Sequence, residues 1–260
     1  MKKWTIDEIE QRLFSKTKPD LEWIKELRAD SRKGAQRLVA RWENQQEAAR
    51  TVEEKFIKMT QFESRLRKEG FQMIAGIDEA GRGPLAGPVS AAAVILPEDF
   101  YLPGLNDSKQ LTELKRNQYF DYIMENAVSV GISLIHAEEI DQINILEASK
   151  KAMLTAVASL QVQPDYLLID AVKLTVPYPS EAIIKGDSKS ISIAAASVIA
   201  KVTRDRLMRK VDADYPEYGF SKNMGYGTAE HITALKEYGA TPLHRKSFAP
   251  VRETEQINNK

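Results

Sequence analysis

Apolar residues recur at helical spacing through the first seventy positions, and the rhythm changes at Phe71. Thr5 and Glu8 have the form of a capping box, and Ile6, Ile9 and Leu13 follow on one face, predicting a short helix. Pro19-Asp20 restarts the chain, and Leu21, Ile24 and Leu27 predict a second. A third is expected from about Asp30 to Lys68, ending at Gly70, with Leu38, Val39, Trp42, Val52, Phe56, Met59, Phe62 and Leu66 as its stripe. Trp4, Trp23 and Trp42 all fall here, and read as the small core of a helical appendage rather than base-stacking platforms.

Beyond Phe71, the runs Phe71–Asp78 and Val89–Leu96 are β-rich and separated by a Gly/Pro turn, predicting a hairpin-like pair. Val128–Ile135 alternates as a third strand, after a helical stretch at Glu113–Asn126. Helices are expected at Glu138–Gln142 and Ile145–Leu160, then strands at Tyr166–Asp170 and Ala182–Lys185. A long helix follows from about Ser188 to Asp212, rich in small residues that permit close packing on a sheet. Thr228–Tyr238 predicts a final helix, and Arg252–Lys260 a loose polar tail. Strands first, then alternating helix and strand, imply an α/β layer fold. The expected division is a helical N-terminal extension at 1–70, an α/β domain at 71–251 and a tail at 252–260.

Composition narrows the class. With 43% hydrophobic and 28% charged residues, the 260-residue chain is neither disordered nor collagenous. Its longest apolar run, near 191–200, falls short of the roughly 18 residues of a membrane helix, so no membrane association is expected. Met1-Lys2-Lys3 leads straight into acids and is not expected to be a signal peptide. The absence of cysteine excludes disulfides, thiolate zinc and a cysteine nucleophile, and is compatible with a cytoplasmic location. Net charge is zero, against a grip on nucleic acid by bulk electrostatics. The layout is uneven, at +4 over 1–70, −6 over 71–160 and +2 over 161–260. An acidic middle is either a solvated surface or a set of carboxylates gathered around metal.

The densest unusual segment is Gly76–Pro88, where Asp78 and Glu79 close a hydrophobic strand before the turn Gly81-Arg82-Gly83. A dinucleotide fingerprint is formally present in Gly81–Ala86, but the following residues read as strand rather than the helix that fingerprint requires. No Gly-Lys-Ser/Thr ends the turn, so a P-loop fails. Asp170 ends another strand, and Asp187 precedes the long helix, where its plainer role is capping. Carboxylates suit hard divalent ions, and two such ions can stabilise the attacking and leaving oxygens of a phosphodiester. Successive strand residues face opposite ways, so for Asp78 and Glu79 to share a site the strand is expected to end or bulge there.

Gly76–Val89, Leu105–Leu111, Lys185–Lys201, Gly225–Thr228 and His244–Phe248, in this order, resemble type 2 ribonuclease H, the ribonuclease HII family. The likeness runs from about residue 71 to 251, and the turn Gly81-Arg82-Gly83 separates it from ribonuclease HIII. It implies a ribonuclease H-like mixed sheet flanked by helices. It also implies an endonuclease that cuts RNA paired to DNA, and duplex DNA on the 5′ side of a single ribonucleotide, leaving a 3′-hydroxyl and a 5′-phosphate. By the same resemblance Asp78, Glu79, Asp170 and Asp187 bind Mg2+ or Mn2+ as the catalytic acids. Gly81, Arg82 and Gly83 sense the ribose 2′-hydroxyl, Tyr226 helps read the RNA–DNA junction, and Lys109 and Lys185 contact phosphate. A monomer is expected. His136 and His231 read as structural, and His244, though within a family motif, is not expected to be a general base. The competing classes are a catalytically silent nucleic-acid-binding module and a different metal phosphoesterase.

Overall fold

The computed structural model describes residues 4–258 other than Lys16 and Lys18. Met1–Lys3, where no signal peptide is expected, and Asn259–Lys260, the end of the expected tail, lie outside the described residues. In chain order the elements are α1 (Ile6–Leu13), α2 (Leu21–Arg28), α3 (Lys33–Met59), α4 (Gln61–Lys68), β1 (Ile74–Ala80), β2 (Val89–Ile95), α5 (Glu113–Asn126) and β3 (Ser129–Ile135). There follow α6 (Ala137–Ala158), β4 (Tyr166–Asp170), β5 (Ser180–Ile183), α7 (Ile191–Asp212), α8 (Phe220–Asn223), α9 (Ala229–Tyr238) and α10 (Ala249–Asn258). No helix of the described residues is long and apolar enough to cross a membrane.

Two compact units divide within α3, one Met1–Lys55 and the other Phe56–Lys260. In the first, the Thr5–Glu8 capping box forms, with the Thr5 amide donating to Glu8 Oε2 at 2.8 Å. Ile9, Leu13, Trp23, Ile24, Leu27 and Leu38 are buried together, and Trp4 meets Trp23 edge to face, so these tryptophans pack a core.

The single helix expected up to Lys68 is broken between α3 and α4. Thr60 Oγ1 donates to the Ile57 carbonyl at 2.8 Å, a local bond that competes with the helical ladder. The α4 turn then carries Glu63, only 2% exposed. Its Oε1 accepts from Ser190 Oγ at 2.6 Å, the Ser192 amide at 3.0 Å and Ser192 Oγ at 2.5 Å, closing the start of α7.

In the second unit five strands form one mixed sheet in the order β3-β2-β1-β4-β5. β2 is antiparallel to both β1 and β3, while β1, β4 and β5 run parallel. Helix α7 covers one face through Ala194, Ala195, Val198 and Ile199, against Ala92 and Val94. Helix α6 covers the other through Ala148, Ala152 and Ala156, against Ala91, Ala93 and Ile77. The close approach of α7 depends on Gly76, since a Cβ there would run into the Ser192–Ile193 backbone. Within α6 the chain breaks at Asn144 (φ 67°), whose Oδ1 accepts from the Leu146 amide at 2.9 Å and the Glu147 amide at 3.2 Å. That recaps the helix and yields the two helices the pattern predicts. The expected loose tail is corrected: it is helical in α10, because Val251 is fully buried with Leu85 and Leu235 and Thr254 is buried behind it.

Candidate active site

The parallel pairing of β1 with β4 brings two of the expected acids together. Ile77 is in register with Ile169, so the next residues, Asp78 and Asp170, stand side by side at the carboxyl end of the sheet. Ligand sites in open α/β sheets collect at this end. The expected strand end or bulge at Asp78–Glu79 is not there. The β1–β2 ladder continues through Glu79↔Ala91 to Ala80↔Ser90. Asp78 therefore lies with Asp170 on the α7 face, and Glu79 joins them around the end of the sheet. Asp187 sits in a tight turn, Gly186–Ser188, between β5 and α7. The Gly186 amide donates to Asp170 Oδ1 at 2.7 Å and so ties that turn to the strand end. The backbone is strained on both sides of the acids: Ala171 (φ 51°) and Lys185 (φ 56°) are left-handed without being glycine.

Charge accumulates here. Burial pushes the Asp78 carboxyl well above its usual range, Glu79 and Asp170 add repulsion, and hydrogen bonds from Ser197 and the Glu79 amide oppose the shift. Burial also raises Glu79, against the attraction of Arg82, whose Nη1 lies 3.3 Å from Glu79 Oε1. Asp187 is raised to about 6 by burial, then by Asp107 and Asp170, with Lys109 working against them. Glu79 Oε2 is buried without a hydrogen-bond partner. An unsatisfied buried carboxylate oxygen among mutually repelling acids fits a hard cation. Among the described residues no group of three or more His, Asp or Glu is arranged to hold an ion alone.

Beside the acids lies a cleft of about 280 Å³, lined by Glu79, Gly81, Arg82, Gly83, Lys109 and Tyr226 together with Ser108, Ser197 and Lys201. The structure thus gathers five of the six expected substrate residues. Lys185 is not on this lining; it is exposed at the start of the Asp187 turn. Gly81 needs its glycine for the protein's own sake, having φ 91° and the Arg204 side chain where a Cβ would go. Gly83 does not. A Cβ there would meet only Tyr226 Cε1, in ordinary contact at 3.6 Å, so packing within the protein does not require glycine at this position.

Several residues escape sequence reasoning. Ser197 touches Asp78 and shares a 3.0 Å hydrogen bond with Ser108, both inside quoted motifs but with no chemical signal of their own. Arg204 and Arg245 are 1% and 0% exposed. Arg204 donates to the carbonyls of Pro88, Met224 and Ala86 at 2.8–2.9 Å. Arg245 donates to those of Arg82, Gly81 and Gly87 at 2.6–3.0 Å. Burial lowers both guanidiniums, to about 10 and about 9, and Arg204 adds repulsion on Arg245.

The family profile described as Ribonuclease HII matches residues 75–251, and that of the Ribonuclease HII N-terminal domain matches 5–67. A ribonuclease HII of Bacillus cereus is 52% identical over 98% of this chain and 100% of its own. One of Bacillus cytotoxicus is 51% identical over the whole of both chains. The crystal structure of the ribonuclease H2 from Pyrococcus horikoshii OT3 superposes with a TM-score of 0.62 at 30% identity, covering 72% of this chain and 99% of that one. With the paired acids and the glycine–arginine turn already placed by the fold, these matches establish that the chain belongs to the ribonuclease HII family and is an endoribonuclease that cuts the RNA of RNA–DNA hybrids.

Proposed function

We propose that this endonuclease also nicks duplex DNA on the 5′ side of a single embedded ribonucleotide, with Mg2+ or Mn2+, leaving a 3′-hydroxyl and a 5′-phosphate. The observation that carries this is the cleft of about 280 Å³ that Gly81–Gly83 and Tyr226 line together, into which Gly83 projects no side chain. A bare backbone at Gly81–Gly83 can approach a ribose closely, and the 2′-hydroxyl is what distinguishes RNA from DNA. Tyr226, 46% exposed, offers its ring to the neighbouring deoxyribose.

Asp78, Glu79, Asp170 and Asp187 hold the cation in this reading. When bound, a divalent ion stabilises charge on the attacking and leaving oxygens of the phosphodiester. The protein prepares that step by orienting Asp78 through Ser197 and Asp170 through the Gly186 amide. Lys109, exposed at the cleft, and Lys185, beside Asp187, are placed to meet phosphate. One copy of the chain carries the whole set, so the working unit is a monomer, acting in the cytoplasm.

The test is a labelled DNA duplex with one ribonucleotide, compared with an all-DNA duplex and a continuous RNA–DNA hybrid in Mg2+. A nick 5′ of the ribonucleotide, a cut hybrid and intact DNA are expected. Cleavage of the hybrid alone would remove the single-ribonucleotide activity.

A further inference from the structure

The two halves of the cleft come from distant parts of the chain, the turn Gly81–Gly83 after β1 and Tyr226 before α9. Both are fastened to one dipeptide, His244-Arg245. The Arg245 amide donates to the Leu85 carbonyl at 2.8 Å, and Ala86 bridges to His244. From this anchor the two side chains go opposite ways.

Arg245 takes the turn. Its guanidinium holds the Gly81 carbonyl at 2.6 Å and the Arg82 carbonyl at 2.8 Å. Among the described residues no peptide bond is cis, and a trans unit sets its N–H opposite its C=O. Drawing these carbonyls inward therefore turns the amides of Arg82 and Gly83 the other way. Burying a guanidinium is costly unless its donors are satisfied, and here carbonyls satisfy Nε and both terminal nitrogens.

His244 takes the tyrosine, through His231. The Thr241 amide donates to His244 Nδ1 at 3.0 Å, so that nitrogen carries no proton. The Tyr226 carbonyl, 2.8 Å from His231 Nδ1, can only accept, so that nitrogen does carry one. The two Nε2 atoms are 3.0 Å apart. With both rings neutral, His244 Nε2–H donates to a bare His231 Nε2, and every position is consistent. The chain of bonds runs one way, from the Thr241 amide through both imidazoles to the Tyr226 carbonyl. Both rings are buried, and burial holds both below the usual histidine value, His244 at about 4 with help from His231.

We infer that His244-Arg245 is a positioning device that sets the distance between the 2′-hydroxyl-reading turn and the junction-reading tyrosine, and with it the preference for a single ribonucleotide. The inference rests on the proposed reading of that cleft. Its two arms are separable. Loss of the histidine arm removes the His231 bond to the Tyr226 carbonyl and leaves Gly225 tied to the Leu85 and Ala86 amides, whereas loss of the arginine arm releases the turn that every ribose-containing substrate meets.

The experiment uses the full-length enzyme in Mg2+ and reads kcat/KM on the single-ribonucleotide duplex and on the continuous hybrid, with melting temperature alongside. His231→Phe, which keeps an aromatic ring against Tyr218 and Phe220, is expected to lower the ratio of the two about tenfold. In a Tyr226→Ala background it should lower the ratio no further, because the two changes remove one interaction. Arg245→Lys should lower both activities together by about tenfold or more at a temperature where the protein is folded. Equal losses on both substrates in His231→Phe, or wild-type rates in Arg245→Lys, overturn the device. A lowered ratio in Tyr226→Ala with an unchanged one in His231→Phe also overturns it while leaving the reading of the cleft intact. An unchanged ratio in Tyr226→Ala removes that reading itself. Should His231→Phe fail to fold, nitrogen NMR of the three histidines in the wild type at pH 7 decides. Two neutral rings of opposite tautomer are expected, and a cationic ring at either position contradicts the relay.

Discussion

At the carboxyl end of β1 and β4, Asp78 is buried beside Asp170, and both Asp78 and Glu79 are raised by burial and by their acidic neighbours. A few residues along the chain, the turn Gly81–Gly87 is held by two buried arginines, each of whose guanidinium nitrogens meets a backbone carbonyl. One region is left electrostatically incomplete, with Glu79 Oε2 unpartnered. The other is completed from within. The contrast separates two jobs. On the proposed reading, the site that takes a cation keeps charge the protein only partly neutralises, and the site that measures a sugar is built with backbone the protein holds in place.

The contrast breaks most visibly at the acids. Asp78→Asn or Asp170→Asn is expected to lower kcat by about a thousandfold or more in saturating Mg2+, since each keeps the shape and removes a charge that the proposed cation site requires. Near wild-type turnover would take that residue out of the site. Next in size, Arg204→Met orphans the carbonyls of Pro88, Met224 and Ala86, and should cost about 3 kcal/mol in urea unfolding. A loss under about 1 kcal/mol would mean the turn is not held as described.

The histidine relay gives a pH signature. His244 is lowered from its ordinary value to about 4 in the folded protein, so the unfolded chain binds the extra proton in the window between. Stability from this group is full above about pH 6.5 and is lost as pH falls toward 4. Between pH 7.5 and 5 the wild type should lose about 2 kcal/mol more than His244→Gln; parallel pH curves would contradict it. Smallest is the Arg82–Glu79 ion pair, with Arg82 43% exposed. Arg82→Ala should change stability by under about 1 kcal/mol, and a larger loss would give the pair a structural role.

Much of this was legible because it is local. Tyr166–Asp170 and Glu113–Asn126 have the bounds their patterns predict, and the break between Gln142 and Ile145 is where Asn144 recaps the helix. Acids ending hydrophobic strands stood out for the same reason. What stayed hidden is non-local. Glu63 reads as one more charge on a polar helix, yet it is buried against Ser190 and Ser192, far along the chain. Cutting the extension at residue 70 would delete that carboxylate and loosen the start of α7. Arg204 and Arg245 carry no sequence signal of burial, because nothing in sequence announces that three carbonyls will converge on each. At Asp78–Glu79 the expected strand end or bulge rested on both acids sharing a face. The register shows a regular strand through Ala80 instead, and Glu79 still interacts electrostatically with Asp78 and Asp170.

Thermal unfolding of the wild type and Asp78→Asn, each titrated with Mn2+ at pH 7, reads the acid end directly and without substrate. Asp78→Asn should melt higher than the wild type in metal-free buffer, because it removes a buried charge that burial and its neighbours disfavour. Mn2+ should raise the wild-type midpoint and leave the variant nearly unmoved. A variant that melts lower without metal, or an equal rise with Mn2+ in both proteins, would contradict a cation site built from unneutralised carboxylates.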